Sequence, residues 1–113
     1  MKLLTKFTCA FKGLAAGFKQ PSLLFQVFWA GVALSVFAIL KISYHEWLIV
    51  IVMIALVWLC EWINSLIEAT VDYISLETNR QAEKIKDLSA GLVLLSGFFA
   101  LLVGLLILYQ HLF

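Results

Sequence analysis

Charge is what this chain has least of. Only 13% of its 113 residues are Asp, Glu, Lys or Arg, where a soluble domain carries about a quarter. No charged side chain falls between Leu23 and Leu40, between Trp47 and Cys60, or between Leu88 and Phe113. That last run has no polar face, which excludes an ordinary water-soluble helical bundle. Proline occurs once, at Pro21, so none interrupts those runs. The two cysteines, Cys9 and Cys60, give neither a disulfide framework nor a zinc spacing, and they read as free thiols. A glycine-rich phosphate loop, a Cys and His metal motif and a Ser, His and Asp arrangement are all missing. The net charge of +1 makes no case for nucleic acid, and none is expected as a partner.

What is present is hydrocarbon, 64% of the residues by type. A helix needs about twenty residues to cross a bilayer. The three runs are therefore expected to be transmembrane helices over 22–40, 47–72 and 88–110, the middle one only if it continues through Glu61 toward Asp72. A surface helix over 1–20 precedes them, giving an all-α integral membrane protein. In that first segment Leu3, Phe7, Phe11, Leu14 and Phe18 line one side, while Lys2, Lys6, Lys12 and Lys19 lie off it. Such a helix suits an anionic leaflet. The same lysines leave no apolar core for a cleavable signal peptide. Pro21 fits the first turn of the next helix, with Ser22 as a helper at its cap.

Four Lys in the N-terminal segment and three Lys or Arg between Tyr73 and Asp87 face a single Lys41 in the other connection. Positive charge stays in the cytosol. The N-terminus and the second connection are thus expected inside, and the Lys41 to Glu46 turn and the C-terminus outside. Gln26 reads as a helix-to-helix hydrogen bond in the first span.

The middle run ends in the polar residues Glu61, Asn64, Glu68 and Asp72, spaced by 3, 4 and 4 along one helical face. A carboxylate at the bilayer centre costs roughly 2.5 to 3.5 kcal/mol, less toward the interface. Glu61 bears most of this and has no internal cation nearby, so it calls for protein neighbours, a proton or a metal. Interhelical hydrogen bonding by Glu61 and Asn64 is the purely structural alternative. Beyond the stripe come Glu77, Arg80, Glu83, Lys84, Lys86 and Asp87. Carboxylates at a membrane surface with a lysine one loop away are the parts of phosphoryl transfer: oxygen ligands for a hard metal, a cation for phosphate, and a base. Alone, they support only a polar site at the cytoplasmic membrane face.

The pattern E-x-x-N-x-x-x-E-x-x-x-D at Glu61, Asn64, Glu68 and Asp72, then Glu77, then Lys84-Ile85-Lys86-Asp87 at the head of the last span, resembles the bacterial diacylglycerol kinase and undecaprenol kinase family. Length and three-span layout match over nearly the whole chain. The resemblance implies a homotrimer in the bacterial cytoplasmic membrane, with MgATP-dependent sites between subunits on the cytoplasmic side. It implies Glu61 as general base toward a lipid hydroxyl, Asn64 beside the phosphates, Glu68 as a Mg²⁺ ligand, Lys86 on the γ-phosphate with Asp87 as companion, and Glu77 on the nucleotide's sugar or base. Asp72 is left as structural or loop-orienting.

One departure stands out. The family carries a second metal-binding glutamate just after the surface helix, followed by an Asn-Phe-Arg-like stretch. Here the chain reads Phe18-Lys19-Gln20-Pro21-Ser22-Leu23-Leu24-Phe25. Gln20 offers a neutral oxygen at that place. The resemblance therefore implies either an ATP-dependent kinase of diacylglycerol or undecaprenol, toward the second of which Ser89-Ala90-Gly91 leans, or a non-catalytic trimeric relative. A small proton-coupled transporter subunit with Glu61 as carrier is the outside alternative, and it leaves Lys86 and Asp87 idle.

Overall fold

The computed structural model of the chain describes residues 2–74 and 79–113. Four helices follow one another: α1 Leu3–Phe18, α2 Pro21–Leu40, α3 Tyr44–Ile74 and α4 Arg80–Leu112. The last three are long and apolar enough to cross a membrane. Pro21 sits at the start of α2, where its missing N–H costs nothing. The cap position before it belongs to Gln20, whose side chain makes no capping bond. Ser22 makes no side-chain hydrogen bond among the described residues either, so the help expected from it is absent.

A left-handed residue, Lys41, ends α2 with φ 54°. The turn carries the Ile42 N–H onto the Phe37 carbonyl and packs the buried Ile42 with Phe37, the apolar contact usual for such a terminus. Ser43 then opens α3 through a reciprocal cap. Its hydroxyl accepts from the Glu46 N–H at 3.2 Å, and its own N–H donates to the Glu46 carboxylate at 3.0 Å. Tyr44 to Trp47 are therefore helical, and the connection between α2 and α3 shrinks to Lys41–Ser43. At the opposite side of the bundle Asn79 caps α4, accepting from the Ala82 N–H at 2.8 Å.

The interior is small. Phe37, Ile42, Val50 and Ile107 form a cluster near the α2–α3 turn, while most of α2, α3 and α4 presents bare Leu, Ile, Val and Phe outward. Leu94 is 78% exposed and Ile39 79%, which suits hydrocarbon surroundings. An apolar groove of about 480 Å³ runs between α2, α3 and α4, touching Trp29, Met53, Val57, Trp58, Gly97 and Leu101. Gln26 also lines it and makes no side-chain hydrogen bond among the described residues. Cys9 and Cys60 are free thiols.

The N-terminal helix is tied to α3 by its last turn. Phe18 meets the rings of Trp58 and Trp62 edge-on, with centroids 5.7 and 5.6 Å away. Gly17 lies directly beneath Trp62, so that a Cβ there would fall inside the indole. The rest of α1 is exposed, including Leu3, Phe7 and Phe11.

Candidate functional site

Helices α3 and α4 run antiparallel, and three side-chain links set their register. Glu46 meets His111, Asn64 meets Ser89, and Asp72 meets Lys86. Along α4 the inward positions include Ala82, Lys86, Ser89, Val93, Ser96, Ala100, Val103 and Ile107, alternating steps of four and three. On α3 the matching row includes Val50, Ile54, Val57, Glu61, Asn64 and Val71. Such spacing is that of two helices packed along a narrow seam. The seam is apolar toward the α2–α3 turn and polar toward the α3–α4 connection.

Glu61 begins the polar stretch. It is 6% exposed and is the one buried charged side chain among the described residues. None of them gives it a hydrogen bond or ion pair, yet neither carboxylate oxygen is sealed off. At about 1.5 Å per residue it lies ~21 Å along α3 from Trp47, less than the ~30 Å thickness of a typical hydrocarbon layer. Glu68 and Asp72, at ~31 and ~37 Å on the same scale, pass beyond it.

One turn past Glu61, Asn64 joins both helices. Its Nδ2 donates to Glu68 Oε1 at 3.3 Å within α3, and its Oδ1 accepts from the Ser89 hydroxyl at 2.6 Å across the seam. A further two turns on, Lys86 is ion-paired with Asp72, and Glu68 is close enough to act on the same ammonium electrostatically. The structure thus brings Asn64, Glu68 and Lys86 together and adds Asp72 and Ser89 to them. Both additions lie on the 3- and 4-spaced rows already occupied by the expected residues. That spacing was the available signal for Ser89, which otherwise reads only as a small residue permitting close approach.

Other expected members stand apart. Asp87 is exposed on a different side of α4, along an open depression of about 730 Å³ shared with Arg80, Glu83, Lys84, Gly91 and Leu92. Adjacent helical residues diverge by about 100°, so Lys86 and Asp87 do not meet as companions within one chain. Gln20 is exposed at the start of α2, with no side-chain link to the polar set. Glu77 lies outside the described residues.

The described residues contain no group of three or more His, Cys, Asp or Glu arranged to hold a metal. Glu68 still suits Mg²⁺: its carboxylate is exposed, and only Oε1 is engaged, by Asn64. Magnesium takes one or two carboxylates and fills its shell with water and phosphate oxygens. Asp72, held by Lys86, is less free to serve.

A second polar cluster occupies the far end of the seam. The Nε2 atom of His111 lies 2.8 and 3.1 Å from the two Glu46 oxygens, so the carboxylate that caps α3 also clamps the end of α4. The sequence places Glu46 only in the turn before the second span and gives His111 no role.

Residues 8–108 match the family model described as prokaryotic diacylglycerol kinase. No curated protein matches the chain.

Proposed function

Because the chain belongs to the prokaryotic diacylglycerol kinase family, we propose that it is an ATP-dependent lipid kinase moving the γ-phosphate of ATP to the hydroxyl of a membrane lipid alcohol, diacylglycerol or undecaprenol. The observation that carries this reading is the division of the α3–α4 seam. Asn64, Glu68 and Lys86 gather where α3 emerges from the hydrocarbon, and the unpaired carboxylate of Glu61 waits one turn deeper. Phosphate chemistry belongs to the first level and a lipid hydroxyl to the second.

In this reading Glu61 accepts the hydroxyl proton as the lipid oxygen forms its bond to the γ-phosphorus and the bond to the β-phosphate oxygen breaks, leaving ADP. Burial without a partner keeps this carboxylate from being neutralised by a permanent cation. Its two accessible oxygens can meet an alcohol arriving from the bilayer. The Lys86 ammonium binds the γ-phosphate, exchanging Asp72 for it, and the Asn64 amide orients the phosphates. Glu68 is the residue that would hold Mg²⁺, which supplies charge neutralisation to the phosphate oxygens when bound. Glu77 contributes to nucleotide binding. Gln20 is a weak, neutral second ligand. Asp87, turned away from Lys86 in its own chain, belongs to a site completed by a neighbouring copy, consistent with a homotrimer.

The apolar groove between α2, α3 and α4 begins about one turn from Glu61, at Val57 and Trp58, and offers room for a hydrocarbon chain. Helix α1 lies on the inner leaflet of a bacterial cytoplasmic membrane, with its lysines toward anionic headgroups. Its Gly17 and Phe18 anchor keeps it near the level of Glu61.

Purified protein in lipid, given MgATP and each alcohol in turn, should yield one phosphorylated lipid, with Glu61→Gln as the inactive control. Failure of the wild type with both alcohols, while ATP still binds, would leave the non-catalytic relative in place of the kinase.

A further inference from the structure

We infer that Ser89 is a positioning residue for the nucleotide site, acting through Asn64; the inference rests on the kinase reading above. Ionised Glu68 has only acceptor atoms. The carboxamide of Asn64 must therefore turn its Nδ2 toward Glu68, as it does at 3.3 Å. That choice sends Oδ1 to the other side, where it needs a donor. Ser89 is the donor, at 2.6 Å and with only 4% of its surface exposed. If the amide were reversed, Oδ1 would face the carboxylate and two acceptors would oppose each other. The serine hydroxyl can donate or accept, but the carboxylate beyond Asn64 allows it only to donate.

This chain of two bonds has a consequence for the cation. With Oε1 of Glu68 engaged by Asn64, the remaining oxygen is held in a defined direction, available to a magnesium ion arriving with ATP. Without Ser89, the Asn64 amide loses its buried anchor and rotates, and Glu68 loses its orientation. Alanine at this position removes one oxygen from a helix interior and keeps a strong helix former, so the helix itself survives the change.

The test uses full-length protein in lipid. Selective ¹⁵N labelling of asparagine gives two side-chain carboxamide pairs, from Asn64 and Asn79. In Ser89→Ala the Asn64 pair should shift and exchange faster with water, while the Asn79 pair stays in place. The KM for MgATP should rise roughly three- to tenfold, the size of one lost hydrogen bond, with kcat within about twofold. In an Asn64→Ala background, Ser89→Ala should add nothing further. An unmoved Asn64 pair would overturn the inference, as would an equal KM increase in the Asn64→Ala background. If the wild type phosphorylates no lipid, the kinase reading falls and takes this role with it. Failure of the Ser89 inference alone leaves wild-type turnover intact.

Discussion

Lys86 on α4 reaches across the seam to Asp72 on α3, about three helical turns beyond the buried Glu61. The proposed phosphate-binding ammonium is thus held by an anion, and in the proposed reaction ATP takes the place of that carboxylate. Both side chains are substantially exposed, at 37% and 64%, which places the pair among interactions worth little in water.

Asp72→Asn should therefore shift the KM for ATP by less than about fivefold. Lys86→Gln should lower kcat/KM by roughly a hundredfold or more, because it removes a charge aimed at the transferring phosphate. Steady-state kinetics on the two variants separate these sizes. Equal losses would make Asp72 part of the reacting site and contradict the exchange just described.

Glu61→Gln should cost about 10²- to 10⁴-fold in kcat, the range for a lost general base. The same change should raise thermal stability, since an unpaired buried carboxylate is a cost to the folded protein in a membrane. Lipid kinase assays and melting curves on one preparation read both effects. A variant that is both less active and less stable would show that Glu61 has a partner in the assembled protein.

Gly17→Ala should loosen α1 from α3. Alanine gains up to about 1 kcal/mol in helix propensity over glycine, but its Cβ has no space beneath Trp62. Tryptophan emission should shift toward longer wavelength, and Trp62→Ala in the Gly17→Ala background should restore the melting temperature toward that of Trp62→Ala alone. Unchanged emission in Gly17→Ala would place the helix elsewhere.

His111→Ala should lower the melting temperature while leaving the KM for ATP within about twofold, because additivity holds between distant sites. The clamp to Glu46 is at the opposite end of the seam from Lys86. A large KM effect would mean that the two ends are coupled.

Gln20→Glu should lower the magnesium concentration needed for half-maximal activity, as a carboxylate attracts the cation more strongly than an amide. Titration of activity against Mg²⁺ measures it, and no shift would place residue 20 outside the metal's reach.

Much of this was legible in the linear order of residues. Three uncharged runs dictate three helices long and apolar enough to cross a membrane, and the spacing of Glu61, Asn64, Glu68 and Asp72 dictates a shared face because the helix repeats every 3.6 residues. What the order of residues could not say is which α4 residues that face would meet. Antiparallel register is a property of two helices at once, and a slide of a single turn would pair Asn64 with a different partner. The tertiary structure decided that Ser89 anchors Asn64, that Asp72 holds Lys86, and that Asp87 turns away from its neighbour. The same register explains why His111, unremarkable in the sequence, closes on Glu46: the two helices are of matched length, so the link that sets one end brings the other into reach.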